Sequence, residues 1–410
     1  MSSGAMHALY LVPETNYGEI PAAPAFDLVR QTGVTIGLSK DTLQSAELRP
    51  DRQITSIRHG TRRIGGDINF ELSYGSQDAL LEAVLCGTWT GNVLKAGVAR
   101  KSFTALRHFS DLTDVPYWTY LGVEMNTLQL TMGANAIVKG TFGTIGQDQP
   151  LSTAAEPTGA TLGVATEAQV MDSFTGAMSI AGKQLALTTE ITLSLTNGMD
   201  TRFVIGSDKT LRPTLKRSTL TGQVTAYFES GELVNEFIRE GDVSLTFTVS
   251  DPEGNQYQFS LPKIKFTGGQ PDVTGEDDIM LTMPFTAQYD KTLDSQISIT
   301  RIPKAPELTS YSFALDGSSN GATVTGTAPT QTVTVANKST TPTTTLTISA
   351  KPPGASLGAP AIKTAPAAAT ATATISGGKL VVTNKAAGTT TIVLTDGAGH
   401  DTTLNYTITA

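Results

Sequence analysis

The chain is 410 residues long, with a net charge of −8, 16% charged and 6% aromatic residues, 39 glycines and a single cysteine, Cys86; that length suggests about two to four domains. One cysteine excludes an internal disulfide framework, and no run approaches the ~20 apolar residues of a membrane helix. The first residues, MSSGAMHALYLVPETNYG, lack a basic stretch leading into an apolar core, so no signal peptide is expected and assembly in a cytoplasm is.

Pro13, Pro21 and Pro24 interrupt residues 1–30, which predicts an extended arm with a helical turn near Phe26–Val29. Such an arm either lies across a neighbouring subunit or frays as a terminus. Val34–Ser39 reads as a strand. Residues 40–66, KDTLQSAELRPDRQITSIRHGTRRIGG, read as one long polar loop carrying Arg49, Arg52, Arg58, Arg62 and Arg63. A loop of this length between strands tends to be functional. Basic loops bind nucleic acid, but no aromatics are interleaved here to stack bases, and the chain as a whole is acidic. The expected partner is therefore acidic surface on another subunit.

The stretch 66–87, GDINFELSYGSQDALLEAVLCG, predicts a strand running into a short helix. Ile68, Phe70 and Leu72 alternate with polar residues, the period of a half-buried strand. Ser76 is the expected N-cap, and Asp78 meets the positive end of the helix dipole. Leu80, Leu81, Val84 and Leu85 form one apolar face, and Gly87 ends the helix. Cys86 reads as a small buried hydrophobe. Strands follow at Ser102–Leu106, Tyr117–Leu121, Thr127–Met132 and Ala136–Ile145, after a connector at Trp89–Lys101.

A linker-like stretch, 151–165, separates this half from a second. Strands are expected at Met178–Ile180, Leu185–Leu195, Phe203–Ile205, Leu220–Phe228, Val243–Ser250, Tyr257–Phe266 and Ile279–Tyr289. Asp251–Gly254 is a hairpin turn with proline at its second position. The cassette returns in 222–241, GQVTAYFESGELVNEFIREG, with Ser230 as cap, Leu233, Val234, Phe237 and Ile238 as the apolar face, and Gly241 as the stop. The two copies lie about 155 residues apart, roughly one domain's length, which suggests a duplication with halves 1–150 and 151–302. A tripeptide precedes each copy, Leu48-Arg49-Pro50 and Leu211-Arg212-Pro213. The second half has its own basic segment with Lys209, Arg212, Lys216 and Arg217.

From residue 303 the composition turns to Thr, Ala, Gly and Pro. Seven short alternating runs, at Ala322–Thr327, Gln331–Val335, Thr344–Ser349, Ala371–Ser376, Lys379–Thr383, Thr389–Thr395 and Thr402–Thr409, predict a β-sandwich over 303–410. Its core would include Val324, Val333, Val335, Leu346, Ile348, Ile375, Leu380, Val382, Ile392, Leu394, Leu404, Tyr406 and Ile408. With no cysteine pair, this would be an immunoglobulin-like fold without the bridge.

No catalytic constellation emerges. His7, His59, His108 and His400 lie far apart in sequence and show no metal-ligand spacing. There is no P-loop, GxSxG or GxGxxG after a strand. The Glu276-Asp277-Asp278 turn reads as solvated acids rather than a cation site. Trp89, Trp118, Tyr117 and Tyr120 read as core or interface aromatics rather than a sugar platform. The expectation is no enzyme, no cofactor and no metal.

Three stretches carry a resemblance: LVPETNYGEIPAAP at the start, LRPDRQITSIRHGTRRIGGDINFELS leading into a strand, and ANAIVKGTFGTIGQ as a closing hairpin. Together with the repeated cassette and the Thr-rich end, they resemble the major tail tube proteins of long, non-contractile-tailed bacteriophages (siphophages), closely over 7–150 and more loosely over 160–300. The resemblance implies a duplicated tail-tube β-sandwich or barrel with one helix per half, plus an immunoglobulin-like domain outside the tube. It further implies a virion protein whose rings of six folds are built here from three chains, or from six. Rings would stack head to tail and conduct DNA on ejection, with a tape measure protein and tail-end proteins as partners. The arginine-bearing loop would bridge rings, and the last domain would meet the host cell surface. DNA must slide without sticking, and its affinity rests largely on phosphate neutralisation. An acidic lumen is therefore expected, with Asp67, Glu71, Glu229 or the 276–278 turn contributing. Two other readings stay open on the residues: a β-sandwich surface adhesin or carbohydrate-binding module, and a polysaccharide depolymerase.

Overall fold

In this computed structural model, residues 3–410 are described except 181–182, 185–187, 230, 272, 274, 277, 317–321, 336–342 and 397. Ser230, Asp277 and the start of the expected strand Leu185–Leu195 lie outside the described residues. The remainder is mainly β with two short α-helices, and clusters into two compact units, Met1–Pro303 and Lys304–Ala410.

The first unit opens with β1 (His7–Pro13), β2 (Ala25–Leu28), β3 (Gly33–Val34), β4 (Gly37–Gln44), β5 (Ile57–Glu71), α1 (Asp78–Leu85), β6 (Val93–Lys95), β7 (Phe103–Phe109), β8 (Tyr117–Gly133) and β9 (Lys139–Gly146). It continues through β10 (Thr161–Leu162), β11 (Asp172–Ile180), β12 (Lys183–Gln184), β13 (Thr188–Thr196), β14 (Asp200–Arg202), β15 (Leu211–Thr214) and β16 (Thr219–Tyr227). It ends with α2 (Glu232–Ile238), β17 (Val243–Ser250), β18 (Gln256–Phe266), β19 (Met280–Ala287) and β20 (Ser298–Ile302).

Two antiparallel ribbons of the same order make up this unit. One runs β4–β5–β9–β8–β7–β1–β2. The other runs β13–β16–β19–β18–β17–β11–β12. Corresponding strands also come in the same order along the chain, with a helix after β5 and after β16. Strand β8 explains how a ribbon folds over. Residues 117–123 pair with β7 and residues 124–131 with β9, with a register shift on either side of the change of partner. Leu9, Leu11 and Phe103 from one end thus meet Ile64, Ile68 and Phe142 from the other in a single core.

Local details repeat as well. The helices end alike: Cys86 and Glu240 take left-handed conformations (φ +48° and +55°). The next N–H, of Gly87 or Gly241, then bonds the carbonyl of Glu82 or Glu236. Such a cap satisfies carbonyls the helix leaves free. A Cβ on Gly66 would lie 2.4 Å from the Thr35 carbonyl oxygen, and one on Gly222 2.3 Å from that of Thr192. Glycine permits the same close approach of strands in each half.

The structure corrects several expectations. Residues 40–66 are not one loop, because β4 pairs with β5 back to Gln44 and Ile57, leaving only 45–56 irregular. This hairpin is solvated on both faces and has no core to impose an apolar alternation. The N-terminal arm contributes two strands, and Phe26–Val29 is not a helical turn: β1 pairs with β7 and β2. The N-cap of α1 is Gln77, without a side-chain bond to the helix, and Ser76 instead meets the Thr166 hydroxyl. Phe203–Ile205 is not a strand: Phe203 and Val204 are irregular and Ile205 begins a turn. The repeated tripeptides do not correspond: Leu48–Pro50 is irregular and exposed, while Leu211–Pro213 belongs to β15.

The second unit consists of β21 (Ser310–Leu315), β22 (Ala322–Thr327), β23 (Thr330–Val335), β24 (Thr343–Lys351), β25 (Ala361–Thr364), β26 (Ala371–Ser376), β27 (Lys379–Asn384), β28 (Gly388–Thr395) and β29 (Thr402–Ile408). Two sheets, β21–β24–β27–β26 and β22–β23–β29–β28–β25, enclose one core. Strands β21 and β25 were not foreseen. The first brings Tyr311 and Phe313 into the core, while Val324 and Ile375 are only partly buried against it.

Candidate assembly surface

The edges, faces and projecting loops of the first unit are each defined among the described residues. The two ribbons join along a strand seam. β8 pairs antiparallel with β13, Thr127 opposite Thr196 through to Gly133 opposite Glu190. β13 also pairs with β16, so both its edges are filled. The sheet β4–β5–β9–β8–β13–β16–β19 is therefore continuous across the two halves.

Beside the seam, the segment between β13 and β16 reaches back onto the first half. Asn197 Nδ2 donates to the Val84 carbonyl at 2.8 Å, and the Met199 N–H donates to Asn126 Oδ1 at 2.8 Å. Arg212 Nε donates at 2.6 Å to Glu124, a carboxylate 1% exposed and also held by Arg100 at 2.5 Å. A carboxylate this deep loses its hydration, and two guanidinium groups compensate for that loss. Tyr17 lies beneath Arg212, 5.3 Å from its guanidinium carbon, and burial together with Glu124 pushes its phenol well above the usual range. Asp148 is likewise buried, with Lys209 Nζ at 2.6 Å and Arg62 Nε at 3.2 Å. Arg62 also reaches Asp208 at 3.1 Å. At the start of α1, Asp78 accepts from the Tyr257 hydroxyl and from Arg301, which stacks over Trp89 at 4.2 Å.

These pairings revise the sequence reading of the basic segments. Lys209 and Arg212 find their acids within the same chain, in the first half, and Lys216 pairs with Asp200. The five arginines divide. Arg62 is engaged as above, and Arg63 pairs with Asp41 at the hairpin base. Arg49 pairs with Asp51 nearer the tip, while Arg52 and Arg58 are exposed on the same hairpin. Beside them Leu43, Leu48, Ile54 and Ile57 are exposed. The corresponding hairpin of the second half exposes Phe203, Val204, Ile205 and Leu211. Sequence reasoning missed this repeated apolar exposure. Its signal in the first hairpin is single aliphatics set in a polar stretch, while in the second the run Phe203-Val204-Ile205 mimics a short strand.

The sheet face turned away from the core is rich in hydroxyls. Along β13 the buried Ile191, Leu193 and Leu195 alternate with Thr192, Ser194 and Thr196. Opposite strands contribute Thr127, Gln129, Thr131, Thr221, Gln223 and Thr225 by the same alternation. Thr225 and Thr282 hydroxyls meet at 3.3 Å. Asp67, Glu71 and Glu190 share this face with Lys139 and with Lys265, which lies opposite Thr286. Glu229 is exposed beyond the end of β16, and Glu276 and Asp278 are exposed in their turn.

Comparison with known proteins agrees with this architecture. No curated protein matches the chain. A family model described as "Phage tail tube protein" matches residues 4–287, most of the first unit. The chain belongs to the phage tail tube protein family.

Proposed function

We propose that this chain is the repeating subunit of the tail tube of a long, non-contractile-tailed phage. Three copies form a ring of pseudo-sixfold symmetry, and stacked rings form the conduit through which DNA is ejected into the host. The observation that carries this reading is the seam. One chain holds two folds of identical strand order, joined edge to edge by β8 and β13. An open edge is a template for pairing, and repeating the same junction between chains leaves none. In this reading residues 1–150 and 151–302 are successive tail-tube folds.

The hydroxyl-rich face would line the lumen. Its lysines, Lys139 and Lys265, are outnumbered by Asp67, Glu71 and Glu190, and Lys265 is also held by Asp242 at 3.7 Å, so on balance the face repels phosphates. The exposed hairpin tips would contact the next ring, Arg49, Arg52 and Arg58 supplying charge and Leu48 and Ile54 apolar area. Arg62 and Arg63 brace the base of that hairpin. The tape measure protein and tail-end proteins are the further partners, and assembly takes place in the host cytoplasm. Residues 303–410 would decorate the outside as an immunoglobulin-like domain able to meet the host surface. Their two packed sheets and the parallel pairing of β23 with β29 support that assignment.

Negative-stain microscopy of the concentrated protein tests the proposal. Tubes or stacked rings with threefold symmetry are expected, and discrete monomers at high concentration would overturn it. Removing 304–410 should leave assembly intact, and loss of polymerisation would overturn the decorative role.

A further inference from the structure

The outermost edges of the continuous sheet carry an inference that rests on the ring reading and names the contact closing the ring. β13 is paired on both sides, by β16 and β8. Among the described residues its counterparts, β3 and β4, pair only with β5. At the other limit of the sheet, β9 is paired with β8 along Lys139–Ile145. The counterpart of β9, β19, meets β18 only along Phe285–Ala287. Residues 267–270, which follow β18, form no strand, although the Thr267 N–H still bonds the Pro284 carbonyl at 2.8 Å, one further rung of that ladder. One chain therefore ends in two incomplete edges, and these are the counterparts of the two strands that meet at the internal seam.

We propose that β4 of one copy pairs antiparallel with Thr267–Gly269 of the next, which extend β18 as the final residues of β8 extend that strand. The internal seam supplies the register. Val34 lies opposite Ile68, and Ile191 opposite Val224, so Val34 corresponds to Ile191. Counting on along each strand, Ser39 takes the place of Thr196. On the other side Phe142 and Met283 correspond, facing Ile68 and Val224 respectively. Phe142 faces Leu128. With Phe266 opposite Phe285, continuing the ladder by two residues puts Gly268 opposite Met283. Gly268 thus stands for Leu128 and Thr267 for Thr127. Since Thr196 faces Thr127 at the seam, Ser39 of one copy faces Thr267 of the next, and Gly37 faces Gly269. The occupant of the open edge is a second copy of this chain, because the contact continues the seam already present within it. Ser39 is exposed in the single chain and Thr267 likewise, so neither is committed elsewhere in the core.

Directly opposed residues of an antiparallel pair bring their Cβ atoms to about 4.5–5.5 Å, close to disulfide reach. The test is therefore the paired variant Ser39→Cys with Thr267→Cys in the full chain, assembled, oxidised and run on a denaturing gel without reductant. Cys86 is buried and gives little background. Covalent dimers and trimers, lost on reduction, are expected. The offset pair, Ser39→Cys with Gln270→Cys, should yield at least about tenfold less. Rings or tubes in which both pairs cross-link equally would overturn this contact and leave the tube role standing. Wild-type protein that forms no rings or tubes would overturn the proposed function and this contact with it. A ladder continuing past the trimer would overturn the count of three. Amide hydrogen exchange on the unmodified protein provides a second reading. Exchange at residues 37–44 and 267–270 should slow at least tenfold on assembly, and unchanged exchange within rings would refute the pairing.

Discussion

Replacing Gly222 with alanine puts a methyl group where β16 passes close against β13. The added Cβ would lie 2.3 Å from the Thr192 carbonyl oxygen and 2.6 Å from Phe285 Cζ. Neither neighbour yields easily. Thr192 is in a strand held on both sides by β16 and β8, and Phe285 is fully buried. Overpacking against two fixed groups costs about 2–3 kcal/mol. The alanine's smaller unfolded-state entropy returns about 0.5–1 kcal/mol, so the net loss is about 2 kcal/mol. In a unit of about 300 residues each kcal/mol moves the melting temperature by roughly 1.5–2 °C, so a drop of about 3–4 °C is expected by scanning calorimetry. A melting temperature within about a degree of wild type would refute the packing argument. The corresponding change Gly66→Ala should be worse. There the Cβ meets the Thr35 carbonyl at 2.4 Å and φ is +133°, a region closed to side chains that adds about 1–3 kcal/mol. If the two variants lose equally, the conformational part of the reasoning fails.

Three further outcomes can be checked. Glu124→Ala removes the buried carboxylate between Arg100 and Arg212 and leaves two guanidinium groups facing each other. A loss of about 2–3 kcal/mol is expected in urea titrations, below the value for a fully buried pair because both arginines retain some solvent contact; an unchanged midpoint would refute it. Burial, together with Arg107 and His108, depresses His7 from 6.5 to about 4. The unfolded chain therefore takes up a proton near pH 6.5 that the folded chain refuses until about pH 4. Stability contributed by neutral His7 is complete above that window and lost as pH falls through it, on the order of 1 kcal/mol after allowance for solvent screening. His7→Gln should melt with less pH dependence between 7 and 4, and equal slopes would count against the assignment. Charge reversal at the hairpin tip, Arg52→Glu with Arg58→Glu, should shorten tubes while rings still form. Each lost contact is worth only about 0.2–1 kcal/mol, but it recurs around every ring. Tubes of wild-type length would remove these residues from the inter-ring contact.

What the sequence by itself determined was the local chemistry. Alternation in 66–72 and 220–228 marked the strands under the core, and apolar spacing placed both helices, because these signals depend only on neighbours along the chain. Charge pairing, strand partners and edges were decided by tertiary structure. Arg212 and Glu124 stand 88 residues apart, and nothing local marks them as partners. The part of the β4–β5 hairpin beyond Ser39 reads as loop in the sequence because a strand pair without a core face carries no alternating pattern. Strand β21 has little sequence signal, because its short Ser-Tyr-Ser-Phe run follows a connector holding Pro303 and Pro306. The matching strand order of the two halves became visible only once each strand had its neighbours. Pairing is a relation between distant segments, and one-dimensional periodicity reports which face of a strand is buried but not which strand lies beside it.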